Sequence, residues 1–161
     1  MQWINPFNDK DISEYFGFIY LITNKTTGMW YVGKKQFKFK TKLAPKKGKV
    51  NKRIIFKDSD WADYWSSSSH VHADVLKYGM ENFERKIIAL CKTKVDLSYS
   101  ELECQILLNA VACNTCYNGA LGQGNLSSMH SGIERCGLDW IDNIPKEIKE
   151  SSPLYNKIKS S

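Results

Sequence analysis

A chain of 161 residues that is 42% hydrophobic, 12% aromatic and 25% charged holds the material for one ordinary domain with a real core, which excludes global disorder, collagen-like and coiled-coil architectures. No apolar run approaches the ~20 residues of a membrane span, and no basic-then-apolar leader opens the sequence, so neither a membrane nor export is expected. A net charge of +6 with an odd set of five cysteines predicts a cytoplasmic protein with reduced thiols and an anionic partner, not a disulfide framework.

Residues 17–23, Gly-Phe-Ile-Tyr-Leu-Ile-Thr, are rich in β-branched and aromatic side chains and read as a strand. Asn24-Lys25-Thr26-Thr27-Gly28 is turn chemistry, and residues 29–33 return as a second strand of a hairpin. A basic loop follows over 34–57. Asp58-Ser59-Asp60 offers caps for a short helix at 61–65, and the serines at 66–69 interrupt before a helix over 70–78 that Gly79 stops. Residues 83–90 read as a third strand. Ser98 or Ser100 caps a helix running to about residue 111, with Leu102, Ile106, Leu107, Ala110 and Val111 at helical spacing. A Gly-rich loop, a short helix near 129–135 and a partly amphipathic stretch over 138–161 complete the chain.

The expected fold is α+β: a small three-stranded antiparallel sheet flanked by helices, with a basic loop insertion (34–57) inside a core domain at 16–120. A Gly-rich loop and C-terminal helical extension occupy 121–161. No internal repeat is visible.

The charge is concentrated. Lys34, Lys35, Lys38, Lys40, Lys42, Lys46, Lys47, Lys49, Lys52, Arg53 and Lys57 place 11 of the 23 basic residues in 24 positions that hold no Asp or Glu. Such a stretch repels itself in the free protein and attracts polyanions. Lysines that neutralise phosphates release condensed counterions, and their dominance favours backbone contact over base reading. The expectation is a loop that is mobile alone and orders against a sugar–phosphate backbone. Phe37, Phe39 and Phe56 would pin its base to the core. A solvated loop and a contact with an acidic protein are the blander alternatives.

The two early strands carry Phe18-Ile19-Tyr20 and Tyr31-Val32-Gly33 with ten residues between the tyrosines. Gly33-Lys34-Lys35, Asp60-Trp61-Ala62-Asp63-Tyr64-Trp65-Ser66-Ser67, Tyr78-Gly79, Phe83, Glu101 and Tyr117-Asn118 follow in order. Taken singly, Tyr20 and Tyr31 read as cross-strand partners, Glu101 as a helix-surface residue, Asn118 as a turn residue, and His70 and His72 as helix-surface residues. The ordered combination over residues 16–120 resembles the GIY-YIG nuclease superfamily, in particular its small phage-encoded, Seg-like, homing-type members. The sequence departs from that pattern with Phe18 at the first motif's glycine and Ser66 in place of a glycine. It has no arginine at a fixed place after the second motif.

The resemblance implies a metal-dependent endonuclease that hydrolyses phosphodiester bonds of double-stranded DNA, in the cytoplasm of a phage-infected bacterial cell. No small-molecule substrate or membrane is implied, and no oligomeric state. It implies Tyr20 as general base, Tyr31 orienting water or phosphate, and Lys35 or Arg53 on the phosphate. Glu101 would hold Mg²⁺ (or Mn²⁺). Lys34, Lys40, Lys42, Lys46, Lys47, Lys49, Lys52 and Asn118 would bind DNA. A tyrosine is a poor base at its ordinary pKa of about 10, so Lys34 and Lys35 beside the pair are expected to favour the phenolate. A catalytically impaired DNA-binding protein of this fold, or an interaction protein for an acidic partner, are the alternatives.

Glu101 and Glu103 compete for the carboxylate role, since residues two apart point about 200° away from each other on a helix. Glu103 lies in line with Ile106, Leu107 and Ala110. Glu101 matches the Seg-like pattern Tyr99-x-Glu101-x-x-x-Gln105 and its distance to Asn118, and is favoured. Cys113 and Cys116 with His130 and Cys136 have spacing that could hold a tetrahedral zinc; buried thiols are the commoner reading.

Overall fold

In the computed structural model, which describes residues 2–48, 50–122 and 138–160, the apolar run Gly17–Asn24 forms β1, the middle strand of a three-stranded antiparallel sheet. Asn24 closes the following turn, its Oδ1 accepting from the backbone N–H of Thr26 and Thr27. Gly28 takes φ 74° there, a region that glycine enters without strain. β2 (Trp30–Gln36) returns along one edge of β1, with Gly33 opposite Tyr20 and Tyr31 opposite Ile22.

The basic insertion is not a loop. Lys38–Leu43 (β3) and Arg53–Asp58 (β4) pair as a separate antiparallel hairpin. Its register explains how so many cations share one ribbon: Lys40 faces Phe56, Lys42 faces Ile54, Lys57 faces Phe39, Arg53 faces Leu43, and Lys38 faces Asp58. No two like charges stand directly opposite, a pairing that would be destabilising. Phe37 is buried and anchors the base, as expected. Phe39 and Phe56 are not anchors, being 40% and 64% exposed.

The expected helix at 61–65 is a turn. Its caps are used otherwise, since Ser59 Oγ donates to the Gln36 carbonyl and accepts from the Trp61 N–H. α1 (Ser69–Tyr78) starts where Ser68 accepts from the Val71 N–H and stops at Gly79, φ 84°. β5 (Phe83–Cys91) covers the other edge of β1. The register slips between Ile19 and Tyr20, so Ile88 and Ala89 join one core layer and Ile87 the other. That bulge lies beside Tyr20, where a local kink re-aims side chains.

α2 (Lys94–Leu107) begins earlier than expected, capped by Thr93. Its inward face is Leu97, Ser100, Glu101, Cys104 and Gln105, followed by Leu108, whereas Ile106 and Val111 are nearly half exposed. The apolar stripe read from sequence was therefore out of phase. It failed because the buried face of this helix carries polar side chains.

Both faces of the sheet are covered. Ile19, Leu21, Trp30 and Val32 pack with α2 on one side. Phe18, Tyr20 and Ile22 pack with Trp3, Phe7, Trp61, Tyr64, Trp65 and Val71 on the other. The C-terminal segment, with α3 (Lys146–Glu150) and α4 (Pro153–Lys159), belongs to the first layer, because Trp140, Ile144 and Ile148 enter the same core. Ser152 Oγ donates to the Leu107 carbonyl at 2.6 Å and also caps α4, tying the segment to the end of α2. The expected helix near 129–135 lies outside the described residues. No helix among the described residues is long and apolar enough to cross a membrane.

Candidate active site

Alternation along β2 sends neighbouring side chains to opposite faces, and the site forms where the two faces meet at its free edge. Trp30, Val32 and Lys34 share the α2 side; Tyr31, Gly33 and Lys35 share the aromatic side. Gly33 lets them communicate. A Cβ on it would lie 2.5 Å from the Tyr20 hydroxyl and 2.8 Å from the Tyr31 ring. Only the missing side chain allows Tyr20 to reach the edge. The rings of Tyr20 and Tyr31 lie 6.1 Å apart, and Tyr64 meets Tyr20 edge-on at 6.1 Å.

Asn118 completes that edge. The segment before it pairs with the start of β2, through Trp30 N–H to Thr115 O and Tyr117 N–H to Trp30 O. At Val32 the Asn118 amide takes over from backbone: Oδ1 accepts from the Val32 N–H at 2.9 Å, and Nδ2 donates to its carbonyl at 2.8 Å. The side chain thus replaces one residue of a fourth strand. Asn118→Ala should leave the buried Val32 N–H without a partner and its carbonyl with only the 3.4 Å contact from Gln105 Nε2, and cost about 3 kcal/mol. That cost corresponds to a fall of roughly 6–12 °C in melting temperature; a fall under about 2 °C would contradict this role.

A cleft of about 460 Å³ opens beside this edge, lined among others by Tyr31, Lys34, Ser67, His70, Glu101 and Asn118. Tyr31 Oη lies 3.3 Å from Ser67 Oγ. Lys34 Nζ lies 3.0 Å from Glu101 Oε2 and donates to Ser98 Oγ at 3.2 Å. Glu101 Oε2 is itself buried, with the Lys34 ammonium as its partner. Gly122 closes over it, since a Cβ there would collide with that oxygen. Gln105 holds the Gly122 N–H at 2.6 Å.

The electrostatics run against the sequence expectation. Burial pushes the Tyr20 pKa well above its ordinary value, helped by Tyr31, Tyr64 and Glu101. Burial raises Tyr31 as well, with Glu101 adding to it. The lysines do not offset this. Lys34 is spent on Glu101, and Lys35 points to the aromatic side, 2.6 Å from Asp60 and 3.6 Å above the Tyr64 ring. A pKa raised on folding adds stability below the unfolded value, near pH 10, that is lost as pH climbs towards the folded value. The urea midpoint should therefore fall above about pH 10, and less steeply in Tyr20→Phe. Equal slopes in the two proteins would contradict the burial of the phenol.

The structure brings Tyr31, Lys34, Glu101 and Asn118 into one cleft, with Tyr20 behind Gly33. Glu103 is not among the lining residues. Neither is Lys35. Arg53 stands opposite Leu43 at the far end of the hairpin, roughly 17 Å along β3 from Lys38. Lys40, Lys42, Lys46, Lys47 and Lys52 are exposed on or near the hairpin, and Lys49 lies outside the described residues. So do His130 and Cys136 of the zinc reading. Cys116 Sγ donates to Asn118 Oδ1 at 3.1 Å, and burial pushes its pKa up to about 12. Sequence reasoning left His70 on a helix surface and had Ser67 only as the end of the Asp60–Ser67 stretch, with no role at the site. Ser68 capping α1 is the signal that sets Ser67 and His70 over the cleft.

Glu101 is the one carboxylate among the lining residues, and no group of three or more His, Cys, Asp or Glu side chains converges among the described residues. A largely buried carboxylate whose charge partner is a single mobile lysine ammonium fits a hard divalent cation such as Mg²⁺, which takes one or two carboxylates and keeps waters and phosphate oxygens for its other positions.

A tyrosine pair, a helix-borne carboxylate and a lysine thus gather around one cleft at the edge of a small antiparallel sheet. The chain belongs to the GIY-YIG endonuclease family: the model for the GIY-YIG domain of endonuclease SegE matches residues 2–120. No curated protein and no solved structure matches it.

Proposed function

We propose that the protein is a divalent-metal-dependent endonuclease acting on double-stranded DNA. The observation that supports this reading is the meeting of Tyr20 and Tyr31 at Gly33, on the edge of β2, with Glu101 lining the same cleft as Tyr31. Glu101 would hold Mg²⁺ or Mn²⁺, which supplies charge neutralisation and a more acidic bound water.

The remaining work falls to the chain itself. Tyr20, its hydroxyl held at the edge by the aromatic cluster, acts as the base in its phenolate form, having first released its own proton to solvent; a cation on Glu101 would favour that form against the burial that raises its pKa. Tyr31, fixed by Ser67, orients water or phosphate. Lys34 and His70 line the cleft where a phosphate would enter, Lys34 supplying positive charge and His70 a ring nitrogen for a hydrogen bond. Gln105 and Asn118 position β2 and Gly122. Lys34 pairs with Glu101 here; with a cation on that carboxylate its ammonium would be available to the phosphate.

A binding protein that has lost catalysis is favoured by one observation: no arginine is among the described residues that line the cleft. Plasmid nicking separates the two. Cutting with Mg²⁺ that EDTA abolishes supports the enzyme, and binding without cutting in Mg²⁺ or Mn²⁺ supports the binder.

A further inference from the structure

The two faces of the β3–β4 hairpin differ. Directly opposed residues share a face, so Lys38, Lys40 and Lys42 stand with Ile54, Phe56 and Asp58, and Phe39, Thr41 and Leu43 stand with Arg53, Ile55 and Lys57. The second face is partly covered at Thr41, Leu43 and Ile55. The first is exposed at every position, with Ile54 50% and Phe56 64% accessible. One strand thus offers a row of ammonium groups and its neighbour a row of large apolar side chains. A core would not take the lysines, and a solvated loop would not present Phe56.

We propose that this face enters the major groove of duplex DNA, with Lys38, Lys40 and Lys42 along one phosphate strand and Ile54 and Phe56 against base edges. The inference rests on the nucleic-acid reading above and adds a source of sequence preference to it. The major groove is about 12 Å wide and admits a two-stranded ribbon, whose strands lie about 4.8 Å apart. Same-face lysines are about 6.8 Å apart, two steps of the ~3.4 Å phosphate rise along one DNA strand. Apolar side chains read the thymine methyl group, which only the major groove displays. Asp58 sits at the base of the face, opposite Lys38, where it limits how deeply the ribbon enters. The hairpin continues directly from β2 through the buried Phe37, so the groove contact and the cleft lie on one continuous strand path.

The test compares wild type, Ile54→Ser/Phe56→Ser, and Phe56→Leu in salt titrations of binding to a mixed-sequence duplex, and in the distribution of cuts or bound positions over a random-sequence library. The double variant should bind about tenfold more weakly at every salt concentration, the scale of losing one well-buried apolar contact. Its salt slope should equal that of wild type, and its site distribution should flatten. Phe56→Leu should keep wild-type affinity, and all three should melt together because both positions are exposed. Wild-type affinity and distribution in the double variant overturn groove insertion. So does an altered salt slope, which would mean that the substitutions moved the lysines. Failure of wild type itself to bind any duplex at low salt would instead overturn the nucleic-acid reading.

Discussion

Tyr20→Phe should lower cleavage by at least about 100-fold, the lower range for losing a positioned proton-transfer group, while DNA affinity stays within about twofold. The substitution removes one oxygen and keeps the ring, which packs against Trp3, Phe18, Tyr31 and Tyr64. Because the phenol is buried and its pKa raised, the folded protein has little to lose at neutral pH from becoming Phe. Activity and stability therefore separate in this one variant. Tyr31 is half-buried, its hydroxyl meeting Ser67 and Tyr20, and it orients the water or phosphate without taking the proton, so Tyr31→Phe should cost less. The measurement is single-turnover cleavage of a labelled duplex at saturating protein. A Tyr20→Phe protein that cuts within about threefold of wild type removes Tyr20 from the chemistry.

The second large effect concerns the cations. Replacing Lys40, Lys42, Lys46, Lys47 and Lys49 by Gln should flatten the salt dependence of binding. If six lysines of the insertion meet phosphates, log affinity falls with log salt at a slope of roughly −5, and affinity drops about a thousandfold between 50 and 200 mM salt. With five of them gone the slope should approach −1. Weakening should be equal on unrelated duplexes, because phosphate contacts position the protein without specifying sequence. The hairpin makes the mutant a clean test. Lys40 and Lys42 are opposed by Phe56 and Ile54, so glutamine in their place breaks no ion pair across the ribbon. Identical slopes in the two proteins would show that the insertion is only solvated.

Much of the sheet was legible. Residues 17–23 and 29–33 have the β-branched and aromatic content of strands around Asn-Gly-type turn chemistry, and they form β1 and β2 with small shifts in bounds. The stop at Gly79 and the third strand were equally plain. The insertion was misread because its charge density masked a period-two pattern. Lys-Phe-Lys-Thr-Lys-Leu alternates like any strand, and only pairing with Ile54, Ile55 and Phe56 discloses it. α2 was misphased for a related reason. Apolar periodicity marks a buried face only when that face is mostly apolar, and here Asp96, Ser100, Glu101 and Gln105 are buried alongside Leu97 and Cys104.

At the site, spacing singled out the tyrosines and the glutamate but not which lysine goes where. Lys34 and Lys35 are neighbours in sequence, yet alternation sends one to Glu101 and the other to Asp60 and Tyr64. The raised tyrosine pKa values were not legible either, because burial by Trp3, Tyr64 and Phe18 comes from segments far apart in the chain. Nor could the sequence tell that residues 138–160 complete the core under α2 rather than extend from it.

The central claim is that one cleft at the edge of β2 carries the chemistry through Glu101. Plasmid nicking in Mg²⁺ by Glu101→Ala and Glu103→Ala tests it most directly, because the two positions share a helix and differ in which way they face. Glu103→Ala should cut like wild type and Glu101→Ala should lose at least about 100-fold with DNA binding intact. A Glu101→Ala protein that nicks normally would contradict the account, whatever Glu103→Ala does.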